Sequence, residues 1–477
     1  MPSITRILDR VIFYGLLATI VLSAIPYGTV QPAWIALFEC LVFIFGLLGL
    51  LDLLFAKAPL PAGISLAVPV IVLCLFILFQ ALPLFAGQNE VVPKLRLSIS
   101  ADRFSSLQLA IKLFALLVAG VLLLRYARTE TRLRVLVYVV ISIAVASALF
   151  GLIRQGGQNG PNWLLPLPNP GRGFAQFVNR NDFGFLVEMA LGLTLGLLAR
   201  GSQGYQRFAV LLPITGFLWV ALIISNSRGA IFASLCQLLF LVIMLDPLRR
   251  LSEASSSARN SFRKVVGGFA FRAVLIVSLI AVFAYGVSWV GGETVVSNFE
   301  LAGYSFTQQG AQGHRENVSR RDIWAATWQL IKARPIMGSG FGGYWIAITK
   351  YHNASGTYTP QEAHNDYLEL LASGGLIGSA LVVWFAVRFM KDARQTLRAR
   401  DRWVRAAALG AITGIFGVIV HSFVDFGLHV TTNALIFTTL LALAGGGAAT
   451  DTAEQARVSL RQRERFEPAA QPDFATH

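Results

Sequence analysis

The chain has 477 residues, of which 55% are hydrophobic and only 14% charged. Its apolar residues fall in long runs and not in short amphipathic stripes, which excludes an ordinary soluble domain and places the chain in a membrane. The formal net charge of +15 does not describe a nucleic-acid surface, because the basic residues are spread over alternate loops and form no single patch.

Taken in chain order, apolar runs begin near Val11, Trp34, Ile64, Leu107, Val135, Phe183, Phe208, Gly229, Ala273, Tyr367, Ala406 and Asn433. Each is about 15–25 residues long, enough to cross roughly 30 Å of hydrocarbon as helix. The expected fold is therefore an all-α integral membrane protein with about 12 transmembrane helices. The first run leads straight into a hairpin with the second and reads as an uncleaved helix. Placing both termini in the cytoplasm puts about twice as many Lys and Arg residues inside as outside, as the positive-inside rule requires. Cys40, Cys74 and Cys236 sit within apolar runs, where a thiol acts as a small hydrophobe. The expected organisation is one polytopic membrane domain over 1–447, with a periplasmic loop at 291–365 and a disordered cytoplasmic tail at 448–477.

Three outer segments carry most of the information. The first, 154–182, is rich in Pro, Gly and Asn. The second is the tight turn "SNSRGA" from Ser225. The third is the long loop, which contains the helical stretch "SRRDIWAATWQLIKARP". There Ser319 and Asp322 fit a capping box, and Ile323, Trp324, Thr327, Trp328 and Ile331 share a face, as expected of an amphipathic helix lying on the outer surface. Trp324 and Trp328 read first as interfacial anchors. The stretch "MGSGFGGYW" follows as a glycine-rich turn with open backbone N–H groups.

In this topology Arg228, Arg320, Arg321, Arg334 and His364 converge on the outer face from distant parts of the chain. Arg228 is confined to a short turn, where a fixed guanidinium suits either a phosphate or an interfacial anchor. His364 stands at the entrance of the run "EAHNDYLELLASGGLIG", with Asn365 and Asp366 beside it. A neutral imidazole there could accept a proton from a hydroxyl, or the residue could cap the helix. Lys112 and Glu188 lie inside spans, where a charge is costly unless paired, and their similar depth suggests that they pair with each other. No phosphate-binding glycine loop follows a strand, and no His/Asp cluster stands at metal-ligand spacing, so neither metal nor cofactor is expected.

The motifs "SNSRGAIFASL", "SRRDIWAATWQLIKARPIMGSGFGGY", "EAHNDYLELLASGGLIG" and "HSFVDFGLHVTTNALIF", preceded by "FVNRNDFGFLVEMALGL", resemble the O-antigen ligase and polymerase family over 174–440. The resemblance implies a GT-C-like glycosyltransferase of the bacterial inner membrane. Such an enzyme takes glycan from a polyprenyl (undecaprenyl) diphosphate on the periplasmic side. By motif, Arg228 matches the turn arginine and His364 the catalytic histidine. Either Arg320 or Arg321 matches the loop arginine, and Arg334 is a further candidate for the diphosphate. Asn365, Asp366, Lys112 and Glu188 are possible supporting residues. The implied chemistry is metal-independent and inverting. The implied acceptor is lipid A-core for a ligase, or a growing polysaccharide for a polymerase. Transfer to protein hydroxyls and transport are weaker alternatives, transport because the polar groups gather at the outer ends and not at the midplane.

Overall fold

The computed structural model of the protein describes residues 2–56, 63–86, 96–156, 173–199, 205–245, 274, 276–282, 284–285, 294–295, 318–352 and 360–446. The expected tail at 448–477 and part of the run that begins near Ala273 lie outside them. The architecture is all-α, apart from two antiparallel pairings of two-residue strands, Phe85–Ala86 with Arg96–Leu97 and Thr294–Val295 with Val318–Ser319.

Among the described residues, ten helices are long and apolar enough to cross a membrane. Eight of them come before the long loop: α1 (Pro2–Ala24), α2 (Pro32–Ala56), α3 (Ala67–Ala81), α4 (Arg103–Tyr126), α5 (Glu130–Gly156), α6 (Arg180–Ala199), α7 (Tyr205–Ile224) and α8 (Arg228–Leu245). The loop helix α9 (Arg320–Ala333) follows, then the spans α10 (Asp366–Thr396) and α11 (Arg402–His421), and the shorter apolar α12 (Thr431–Gly445). The protein is a multi-pass membrane protein.

The centre of the bundle is the pair α6 and α11, with 83% and 78% of their apolar windows buried. Both carry glycines four residues apart, and these face each other. A Cβ on Gly192 would come within 2.3 Å of the Gly414 nitrogen, and one on Gly196 equally close to the Gly410 nitrogen. With no hydrophobic drive between helices in lipid, such close backbone approach supplies the packing that holds the pair together.

The glycine-rich turn after α9 does not offer an open nest. Its N–H groups are taken: Ser339 donates to the Ala372 carbonyl, Gly340 to that of Ser373, and Phe341 to Gln80 Oε1. Gly338, Gly340 and Gly342 have φ of 70°, 91° and 76°, and neighbouring backbone leaves no room for a side chain at Gly338 or Gly340. The turn is a wedge that seats the loop on the ends of α3, α4 and α10. It enters where α10 breaks at Gly375 (φ 61°), and there Leu376 and Ile377 donate to the carbonyls of Pro335 and Ile336. Helix α9 buries Ile323, Ala326, Thr327, Leu330 and Ile331. Trp328 is 50% exposed, off the face assigned to it.

The side of the membrane can be read directly. A single cysteine at Thr349 is expected to react with an impermeant maleimide on intact cells, and one at Arg398 only after permeabilisation. Both positions are exposed. Labelling of both from the same side would contradict the alternating path of the spans.

Candidate functional site

Five segments meet at one end of the bundle. They are the N-terminus of α6, the turn before α8, the start of α9, and the chain on either side of His364 together with the α11–α12 connection. His364 itself has φ of 50°, a left-handed conformation that costs a non-glycine residue about 1–3 kcal/mol, although histidine tolerates it better than most. The neighbours hold that conformation in place. The Ala363 carbonyl accepts from Trp324 Nε1 at 3.1 Å, and the Ala363 nitrogen donates to Glu369 Oε2 at 2.9 Å. Asn365 Nδ2 donates to the Phe423 carbonyl, and the Asp366 nitrogen to that of Ser422. Trp324 therefore works as a clamp on this segment.

The capping role considered for His364 belongs to Asn365, whose Oδ1 accepts from the Tyr367 and Leu368 nitrogens. That frees the imidazole for chemistry. Its Nδ1 lies 3.3 Å from Oδ1 of Asp425, and its ring meets Phe426 edge-on with 4.8 Å between centroids. Asp425 is buried and also accepts from the Phe426 nitrogen (3.1 Å) and from Asn181 Nδ2, with the Arg320 guanidinium 3.5 Å from its Oδ2. Burial opposes ionisation of Asp425, but the hydrogen bond from His364 and the charge of Arg320 outweigh it and hold the carboxyl well below its usual range. Burial lowers the pKa of His364, and Arg320 lowers it further against the pull of Asp425. Both effects favour the neutral imidazole. With Nδ1–H donating to the carboxylate, Nε2 is left as the acceptor.

The structure separates the two adjacent arginines. Arg320 is buried and faces Asp425, whereas Arg321 is exposed one residue further round the helix. Arg334 stands at the other end of α9, about 20 Å along the axis, and donates to the Ile99 carbonyl; it is not brought to His364. Arg228 is the first residue of α8, after Ser227. A cation at a helix N-terminus opposes the macrodipole, a cost that an incoming anion would relieve.

Lys112 and Glu188 do not pair. Lys112 Nζ donates to the His429 carbonyl at 2.6 Å, and Glu188 Oε2 meets Nδ1 of the fully buried His421 at 3.2 Å. Equal depth says nothing about the angular position of a helix in the bundle, and α4 and α6 present these residues to different neighbours. Among the described residues, folding also assembles a group at metal-ligand spacing that the chain order hid: Glu362, Glu369 and His429 bring one ligand atom each within 4.8 Å of one another. His429 Nδ1 is 3.1 Å from Glu362, with Asp366 3.8 Å from its Nε2.

The sequence profile of the O-antigen ligase family matches residues 213–385. That stretch of the chain is similar to the O-antigen ligase family. No curated protein matches the chain. The matched segment contains Arg228, Arg320 and His364, and the family it resembles implies glycosyltransferase-type activity of the ligase or polymerase kind. Asp425 and Asn181 lie outside the matched segment, yet they complete the surroundings of His364. Reading the sequence did not single them out, although both stand in quoted motifs, "HSFVDFG" and "FVNRND". The available signal was an acid in a connection between two spans, at the same end as His364.

Proposed function

We propose that the protein transfers glycan from a polyprenyl diphosphate-linked donor to an acceptor hydroxyl at the periplasmic face of the bacterial inner membrane, as an O-antigen ligase acting on lipid A-core. The observation that carries the reading is the buried pair of His364 and Asp425 beside Arg320, at the same end of the bundle as Arg228. His364 Nε2 takes the proton of the acceptor hydroxyl as its oxygen attacks the anomeric carbon. The bond from that carbon to the phosphate oxygen breaks on the opposite side, and its electron pair leaves with the polyprenyl diphosphate. The displacement is single, so configuration inverts. Arg228 and Arg320 stabilise the charge that grows on the leaving group, in a site where preorganised donors do not have to reorganise. Asp425 holds the imidazole in the reactive tautomer and stabilises the imidazolium that forms. No step is assigned to a metal or a cofactor, because Arg228 and Arg320 supply the positive charge for the leaving diphosphate.

The reading is tested with protein purified in detergent, given undecaprenyl diphosphate-linked oligosaccharide and lipid A-core. Glycan joined to lipid A-core supports a ligase. Elongation of the lipid-linked glycan would assign a polymerase instead, and no consumption of donor would refute glycan transfer. In the same assay Arg320→Ala is expected to lose about a hundredfold or more in rate, and Arg321→Ala only a few-fold. Equal losses, or the reverse order, would detach Arg320 from the site.

A further inference from the structure

The turn that carries Arg228 and the connection that carries Asp425 are nearly two hundred residues apart in the chain, and one side chain joins them. Asn181, the second residue of α6, uses both ends of its amide. Its Nδ2 donates to Asp425 Oδ2, and its Oδ1 accepts from Ser227 Oγ at 2.8 Å. The polarity is not interchangeable. An ionised Asp425 can only accept, so the NH2 must face it, and the amide oxygen is left for the Ser227 hydroxyl. Ser227 is fully buried and starts α8: its carbonyl accepts from the Ile231 nitrogen at 3.0 Å, and its Oγ lies 3.4 Å from the Ala230 nitrogen. The Asn181 backbone is fixed in turn, its nitrogen donating to Asn179 Oδ1 at 3.0 Å.

Packing beneath the amide keeps this bridge short. A Cβ on Gly184 would lie 2.5 Å from that of Ala230, and one on Gly229 would lie 2.5 Å from His421 Nε2. The starts of α6 and α8 and the end of α11 can therefore approach only because glycines stand there. Asp425 follows closely, its nitrogen donating to the His421 carbonyl at 3.1 Å.

We propose that Asn181 is a positioning residue, which acts through Ser227 to set Arg228 and through Asp425 to orient His364, so that the diphosphate-binding and proton-accepting halves of the site keep a fixed separation. The proposal rests on the glycosyl-transfer reading above. It explains why an amide and not an acid stands here. A carboxylate at this position would face Asp425 with like charge and would have nothing to donate to it.

The test uses the full chain in lipid nanodiscs and needs no acceptor. Binding of undecaprenyl diphosphate is measured alongside the pKa of His364, the latter from histidine C2-hydrogen exchange followed by mass spectrometry. Asn181→Ala is expected to weaken undecaprenyl diphosphate binding about tenfold, and to raise the His364 pKa by roughly one unit. The rise follows because Asp425, without its amide donor, pulls harder on the imidazolium beside Arg320. Asn181→Asp, close in shape, should raise that pKa at least as far. In an Arg228→Ala background, Asn181→Ala should weaken binding no further. Unchanged binding and an unchanged pKa, with only a lower Tm, would reduce Asn181 to packing and overturn the proposal. So would a pKa shift without a loss of binding, because the link to the arginine turn would be broken. Arg228→Ala with undiminished binding would refute the diphosphate role of Arg228 itself, and would be recognised separately from the Asn181 result.

Discussion

His364→Ala, purified with its donor, acceptor and a metal chelator, is expected to bind the polyprenyl diphosphate-linked donor while forming almost no product. A general base contributes about 10²–10⁴-fold, whereas loss of a structural cap would cost on the order of 1 kcal/mol of stability with little direct effect on turnover. His364→Asn sharpens the contrast. Asparagine tolerates the left-handed backbone that His364 adopts (φ 50°), so the Asn variant keeps the loop geometry and removes only the base. It should be as inactive as the Ala variant, and recovered activity in it would show that His364 acts through structure. The pH profile gives a second view. Burial and Arg320 place the pKa of His364 below its ordinary value of 6.5, so the rate should be constant through neutral pH and fall only as acid protonates the imidazole below that value. A wild-type rate abolished by the chelator would return the Glu362, Glu369 and His429 group to the centre of the mechanism as a cation site.

Arg228→Lys is the second large effect expected. The variant keeps the charge and the helix position but exchanges a rigid fork for a point charge on a flexible stem. If the guanidinium grips two oxygens of the diphosphate, the rate should fall about 10²–10³-fold, the scale for removing one preorganised transition-state donor. The protein should still insert and accumulate, because the substitution leaves the Ser227–Asn181–Asp425 hydrogen bonds in place. A lysine variant with near-normal turnover would leave Arg228 as an interfacial anchor. The placement argues against that, since a cation at the first residue of α8 opposes the helix dipole.

Both of these side chains were legible from the residues alone. Arg228, His364 and the loop arginines were found because hydropathy runs order the chain into spans, and alternating spans force distant outer connections onto one side. That argument is one-dimensional, and it succeeds because a helix must cross the full hydrocarbon thickness whatever its neighbours are. It also located the amphipathic α9, whose buried face follows the helical period, with Trp328 the residue that falls off it.

Lateral packing settled the rest. Adjacent residues on a helix differ by about 100° in direction, so only docking of α9 against the bundle decides that Arg320 and not Arg321 meets Asp425. Lys112 and Glu188 share a depth yet find separate partners in the His429 carbonyl and His421, because depth leaves the angle around the bundle undetermined. The glycine turn's free N–H groups were an expectation of local sequence, whereas Ser339 and Gly340 donate to carbonyls near the break in α10 and Phe341 donates to Gln80. By itself, then, the sequence determined which side chains arrive at one end of the membrane. Which of them touch was decided by the tertiary structure, since many helix arrangements bury the same apolar faces and the one adopted here brings Asn181, Ser227, Asp425 and His364 within hydrogen-bonding reach.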